Sequence, residues 1–152
     1  MATIHDVCDY VIIKLEEAGD SPSVLKIQKL LYYVQAWSLA INKRPLFPGK
    51  FQAWIHGPVN REIYDRFSGV KLMYSSVTSK DCNGGQDSLS GDERSAIDDV
   101  LDVYAKFSGS QLEEMTHQEE PWLKARGGIS PSQRCENEIS EDDMQKFYAS
   151  RI

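Results

Sequence analysis

The sequence predicts a mainly α-helical protein, folded as a single compact domain around one central buried helix, with at most a short strand or hairpin. In residues 26–37 the apolar side chains recur at three- and four-residue intervals, and this apolar face is so broad that few polar positions remain. A helix that is apolar over most of its circumference is normally surrounded by other elements. Shorter amphipathic stretches with serines at capping positions occur on both sides of it. The predicted structural core of the central helix consists of Ile27, Leu30, Leu31, Val34 and Trp37.

Length and composition favour one ordinary globular domain, residues 1–152. The chain is 41% hydrophobic and 26% charged, which is typical of neither a disordered nor a membrane-spanning protein. No apolar run approaches the roughly 18 residues of a transmembrane span, and no secretion signal is visible, so we expect a cytoplasmic protein. Three scattered cysteines, Cys8, Cys82 and Cys135, predict reduced thiols rather than a disulfide framework or a zinc site.

Capping residues and breakers divide the chain into short elements. The central helix is predicted to begin at Ser21 and Pro22 and to end near Asn42, with Ile41 on its apolar face. A short strand is predicted within residues 50–56, ended by Gly57. The other predicted helices cover residues 4–18, 59–67 and 91–107, a stretch from a capping box at Ser110 to His117, residues 121–126, and a last helix capped by Ser140.

Two stretches have little regular pattern. Residues 68–90 are predicted to form a weakly structured excursion, most mobile around residues 81–87. A hairpin is an alternative there, because side chains 72, 74 and 76 could alternate with side chains 73, 75 and 77. Residues 127–138 are predicted to be a linker to the C-terminal helix.

Charge is unevenly distributed along the chain. Residues 21–66 contain seven basic side chains against two acidic ones, whereas residues 87–120 contain ten acidic side chains against two basic ones. The halves could attract each other or be solvated, or they could form a polarised surface that steers a partner. The net charge of −6 makes nucleic acid an unlikely partner, because nonspecific binding to phosphates needs clustered cations.

The residues that could support chemistry do not form a recognisable catalytic pattern. His56, His117 and Glu119 could meet only through the fold, and no spacing typical of a zinc site, a nucleophile elbow or a phosphate-binding loop is present. We therefore predict no metal, no cofactor and no enzymatic activity. A small metal-dependent enzyme that uses these three residues stays open as an alternative. The structural interpretation of His117 is that it satisfies backbone groups between two helix ends.

Three blocks of sequence resemble the Panacea domain family of SocA-like antitoxins, which is also described as a phage-associated domain. The first block is Lys-Ile-Gln-Lys-Leu-Leu-Tyr-Tyr-Val-Gln-Ala-Trp at residues 26–37. The second is Gln-Ala-Trp-Ile-His-Gly-Pro-Val at residues 52–59, and the third is Met-Thr-His-Gln-Glu-Glu-Pro-Trp at residues 115–122. Residues 68–88 and the tail after residue 127 carry no signature of the family.

The resemblance implies a protein-binding module that neutralises a cognate toxin by direct contact. It also implies that the module could act as a proteolytic adaptor to a ClpXP-type protease. An alternative is a phage- or prophage-encoded adaptor or inhibitor of a host protein. The predicted partner-binding residues come from the second and third blocks and from the adjacent helix, where Arg61 and Arg66 are the best candidates for exposed cations. They are Trp54, His56, Pro58, Arg61, His117, Glu119 and Trp122.

Overall fold

A computed structural model describes all residues, 1–152, and contains seven α-helices and one two-stranded antiparallel sheet. The mainly α-helical fold with one short hairpin is therefore confirmed. No helix combines the length and the apolar character needed to cross a lipid bilayer. The elements are α1 (Ile4–Glu17), α2 (Val24–Asn42), β1 (Gln52–Trp54), β2 (Gly57–Val59), α3 (Arg61–Phe67), α4 (Gly91–Tyr104), α5 (Gly109–His117), α6 (Glu120–Arg126) and α7 (Glu141–Ala149).

Helix α2 is the central element, and α1, α4, α5, α7 and the sheet all pack against it. Four of its predicted core residues, Ile27, Leu30, Leu31 and Val34, are buried, and Trp37 is half-buried against the same core. The prediction for Ile41 is wrong, because this side chain is 61% exposed on the last turn.

The polar side chains of α2 are buried as well, which the apolar pattern alone did not predict. They are Lys26, Gln28, Lys29, Gln35 and Ser38. Each one has a hydrogen-bond partner, as buried polar groups require. Gln35, for example, donates to the Phe47 carbonyl at 2.7 Å and accepts from the Leu46 amide at 2.9 Å. These side chains therefore attach the surrounding loops to the central helix.

The N-terminus of α2 begins two residues later than predicted. Ser23 is the cap, since its Oγ accepts from the Lys26 amide at 3.1 Å, and Ser21 lies outside the helix. The free amides of Val24 and Leu25 donate to carbonyls at positions 75 and 73, at 3.1 and 2.8 Å. Helix α5 shows the same kind of shift, because its capping box uses Ser108 rather than Ser110.

Residues 68–90 pack along α1 and the start of α2 and contain two short 3-10 helices, Ser79–Asp81 and Gly85–Ser88, but no hairpin. The buried Asp9 carboxylate organises this stretch, because it accepts from the Arg66 guanidinium and from the amides of Asn83 and Gly85 at 3.0 and 3.1 Å. Burial alone would raise the pKa of Asp9, but these hydrogen bonds lower it. The prediction that Arg66 is exposed is wrong, since this ion pair lies largely out of solvent. Mobility of the stretch stays a prediction.

Residues 127–138 have no regular structure, and Arg126 attaches them to the core. Its guanidinium donates to the carbonyls of Ala53 and Ser130, at 2.8 and 2.6 Å, and to that of Gln133. Helix α7 then packs on α2 with Met144 and Tyr148 buried. All three cysteines are free.

Candidate partner-binding surface

The β1–β2 hairpin is attached to the helices by side chains that donate to its backbone carbonyls. Arg126 donates to Ala53 and the Trp122 indole to Trp54, both at 2.8 Å. On the other strand, the Lys29 ammonium donates to the Pro58 carbonyl at 2.9 Å. The outer edge of β1 is also used, because the Ala53 amide donates to the carbonyl of residue 137. The hairpin is therefore a fixed part of the scaffold and has no free edge on β1.

This arrangement gives the three sequence blocks a common physical role. The first block supplies Gln28 and Lys29, which bond the backbone at Asn60 and Pro58. The third block supplies Trp122, which bonds the first strand of the hairpin. The second block is the hairpin itself. The motif residues therefore serve mainly to hold the hairpin against the helices.

Gly57 is where the hairpin approaches the core most closely. Its φ of +96° is a conformation that favours glycine. A Cβ at this position would lie 2.6 Å from Cε of Lys29 and 2.8 Å from Oγ1 of Thr116. Lys29 is fully buried against this turn, and burial lowers its pKa to about 7, although nearby Glu113 acts in the opposite direction.

Four of the predicted partner-binding residues belong to the interior network. Trp122 is only 1% exposed, with the His117 ring stacked on it at 4.2 Å, and Pro58 is buried in β2. The Glu119 carboxylate accepts from the hydroxyls of Tyr33 and Tyr148, both at 2.8 Å. Burial raises the pKa of Glu119, and these hydrogen bonds only partly offset that effect. The expectation that Pro58 and Trp122 lie on the surface is wrong, since both side chains are buried between the hairpin and the helices that hold it.

Trp54, His56 and Arg61 do lie towards solvent, on the outer side of the hairpin and of α3. The rings of Trp54 and Tyr64 are 5.0 Å apart, and the Arg61 guanidinium lies over both, at 5.9 and 5.4 Å. The His56 side chain is 44% exposed, with Nδ1 3.1 Å from the Glu113 carboxylate. We call the group Trp54, His56, Arg61 and Tyr64 the hairpin surface.

The residues of the metal-dependent alternative are not brought together as one site. His56 pairs with Glu113, His117 stacks on Trp122, and Glu119 bonds two tyrosines. Burial lowers the pKa of His117. No group of three or more histidine, cysteine or acidic side chains has an arrangement that could hold a metal ion.

The lysine and arginine side chains of residues 21–66 form no ion pairs with the acidic side chains of residues 87–120. The basic side chains of residues 21–66 that form ion pairs do so with Asp9, Asp20, Asp65, Glu136 and Glu141, all outside residues 87–120. The exposed acids of α4 form no ion pair. They are Asp92, Asp99 and Asp102. Solvation therefore describes this acidic face better than attraction between the halves.

Comparisons with known proteins agree with the resemblance of the three blocks. The family model described as Antitoxin SocA-like, Panacea domain matches residues 27–123. The curated protein Antitoxin SocA of Caulobacter vibrioides (strain NA1000 / CB15N) is 34% identical over 102 residues, which are 62% of this chain and 54% of that protein. This chain thus spans about half the length of that relative. No solved structure matches it. Because the family model covers most of the chain and includes the hairpin with the helices that hold it, the chain belongs to the SocA-like antitoxin, Panacea domain family.

Proposed function

We propose that this protein is a cytoplasmic antitoxin that neutralises a cognate protein toxin by direct contact and catalyses no reaction itself. Membership of an antitoxin family carries the proposal. It is further supported by the name of the curated relative, Antitoxin SocA. A protein toxin is therefore the partner we propose, and nucleic acid is not.

The hairpin surface is the part of the predicted site that we keep in the proposal. Tryptophan, tyrosine and arginine dominate the energetics of protein interfaces, and here Trp54 of the scaffold-held hairpin packs against Tyr64 and Arg61 of α3. The carboxylates paired with Arg61 are those of Asp65 and Glu136, both 3.4 Å away and exposed. Such exposed pairs contribute little, so a carboxylate of the toxin could replace either of them.

A growth assay tests the proposal. The neighbouring gene is expressed from an inducible promoter, with and without this protein, and we expect toxicity that co-expression relieves. Trp54→Ala and Arg61→Ala should weaken the rescue, while Lys43→Ala, at an exposed lysine that forms no ion pair, should leave it intact. Unrelieved toxicity with both proteins present at normal levels would contradict the proposal.

The same assay in a strain without ClpXP separates blocking from delivery to a protease. Neutralisation by contact predicts equal rescue in both strains and an unchanged amount of toxin. Rescue that disappears without the protease, together with accumulated toxin, would favour a proteolytic adaptor. A phage- or prophage-encoded inhibitor of a host protein would instead produce its effect without the neighbouring gene.

A further inference from the structure

Exposed apolar side chains are concentrated next to the hairpin surface. Four of the large apolar side chains that are exposed lie within residues 64–74. They are Tyr64, Val70, Leu72 and Tyr74, and the last three are 75%, 79% and 65% exposed. Single exposed apolar residues are ordinary, but a contiguous group indicates an interaction site.

The backbone that carries these side chains is held by hydrogen bonds to the central helix. Carbonyls at positions 73 and 75 accept from the first free amides of α2, and the Val77 amide donates to the Pro22 carbonyl at 2.9 Å. Within the segment, the Ser75 amide donates to the Leu72 carbonyl at 3.0 Å. The segment is therefore fixed at the helix N-terminus, where its carbonyls satisfy donors that would otherwise be unpaired.

A turn at residues 72–75, closed by the Ser75 amide and the Leu72 carbonyl, presents the apolar side chains to solvent. Side chains 72, 74 and 76 are exposed, whereas side chains 73 and 75 are half-buried and Val77 is buried. The carbonyls at positions 73 and 75 of this turn bond the start of α2, and the side chains of Leu72 and Tyr74 are exposed away from that contact. Because this geometry is set before binding, little conformational entropy remains to be lost when a partner docks.

The exposed side chains of Val70, Leu72 and Tyr74, which we call the strip, are continuous with the hairpin surface. The ring of Tyr74 lies 6.3 Å from that of His56. The strip and the hairpin surface together combine exposed aliphatic groups, a tilted Trp54–Tyr64 ring pair and the Arg61 cation. A partner complementary to this surface would present an apolar patch bordered by a carboxylate.

We propose that Val70, Leu72 and Tyr74 form the recognition strip of this antitoxin and dock on an apolar, carboxylate-bordered patch of its toxin. The inference rests on the proposed function, which supplies the occupant, and adds residues from outside the three sequence blocks. The hairpin and the helices that hold it present the strip, while the strip itself determines which toxin fits.

Affinity measurements with the purified product of the neighbouring gene test the strip. Leu72→Ser and Tyr74→Ala should each weaken binding by about tenfold or more, since truncation of a buried interface anchor usually has at least that effect. Ile41→Ser and Val103→Ser are matched controls, because these side chains are 61% and 53% exposed on other helices. Equal melting temperatures of all four variants confirm that the fold is intact.

Each outcome of this experiment decides a different claim. If the wild type binds the product and the strip variants bind it with the same affinity, the strip is not the docking site. The proposed function is then unaffected. Absence of wild-type binding overturns both. If the chain alone forms a dimer that Leu72→Ser dissociates, the strip is an interface between two copies and the toxin is the wrong occupant.

Discussion

Lys29 should make the stability of this fold depend on pH. Its ammonium is buried beneath the hairpin, and burial lowers its pKa from 10.5 to about 7. Between these two values the unfolded chain holds a proton that the folded chain has lost, so the free energy of unfolding rises with pH. From about pH 7.5 to about pH 8.5, this one group contributes an increase of about 1.2 kcal/mol.

Urea unfolding at the two pH values measures this contribution. Lys29→Met removes the titrating group, whereas Lys106→Met, at an exposed position, is the matched control. We expect the unfolding free energy of the wild type and of the control to rise by about 1.2 kcal/mol relative to Lys29→Met. Burial raises the pKa values of Cys8 and Cys82 to about 12, so above about pH 9 these two thiols lower the free energy of unfolding as the pH rises. Their effect is the same in the wild type and in both variants, and it therefore cancels when the proteins are compared. Parallel pH profiles of Lys29→Met and the wild type would refute the reasoning.

Three further predictions concern how the scaffold is held together. Thermal melts should show that Gly57→Ala lowers the unfolding free energy by about 2 kcal/mol or more, because Gly57 has a positive φ and the added Cβ would contact the core. Gly128→Ala is the control and should have little effect, because Gly128 has open space around it. Arg126→Met should release residues 130–133, which would appear as faster proteolysis in the linker while α2 stays protected. Asp9→Ala should lower the unfolding free energy by about 3 kcal/mol in urea titrations, because it leaves a largely buried guanidinium without its carboxylate. A loss below about 1 kcal/mol for Asp9→Ala would contradict that account.

The elements and the core could be predicted from sequence because they follow from periodicity. Apolar spacing located α2 and its core face, and it also located the last helix with its buried Met144 and Tyr148. The cap positions were less well determined, because serines two residues apart satisfy the same local rule. The caps are Ser23 and Ser108 rather than Ser21 and Ser110. From these positions the first free amides of each helix have side-chain or tertiary hydrogen-bond partners.

The site was harder to predict because a sequence motif does not distinguish a contact within the fold from a contact with a partner. Trp122 and Pro58 are motif residues that the fold itself uses. The helical pattern identifies Lys29 only as one of the few polar positions of α2, because the hairpin carbonyl that it bonds is distant in sequence. The sequence does show the apolar side chains of the recognition strip, at positions 70, 72 and 74 of a stretch with little regular pattern. Their exposure could not be inferred without knowing that the carbonyls at positions 73 and 75 bond the start of α2.

Hydrogen exchange of this protein with and without the neighbouring-gene product tests the central claim most directly. Met73 and Tyr74 donate no backbone hydrogen bond, so their amides report on a partner that covers the strip. We predict slower exchange at residues 70–76 and around the hairpin surface in the complex, with no change along the exposed acidic face of α4. Protection confined to α4, or identical exchange in both samples, would contradict the account.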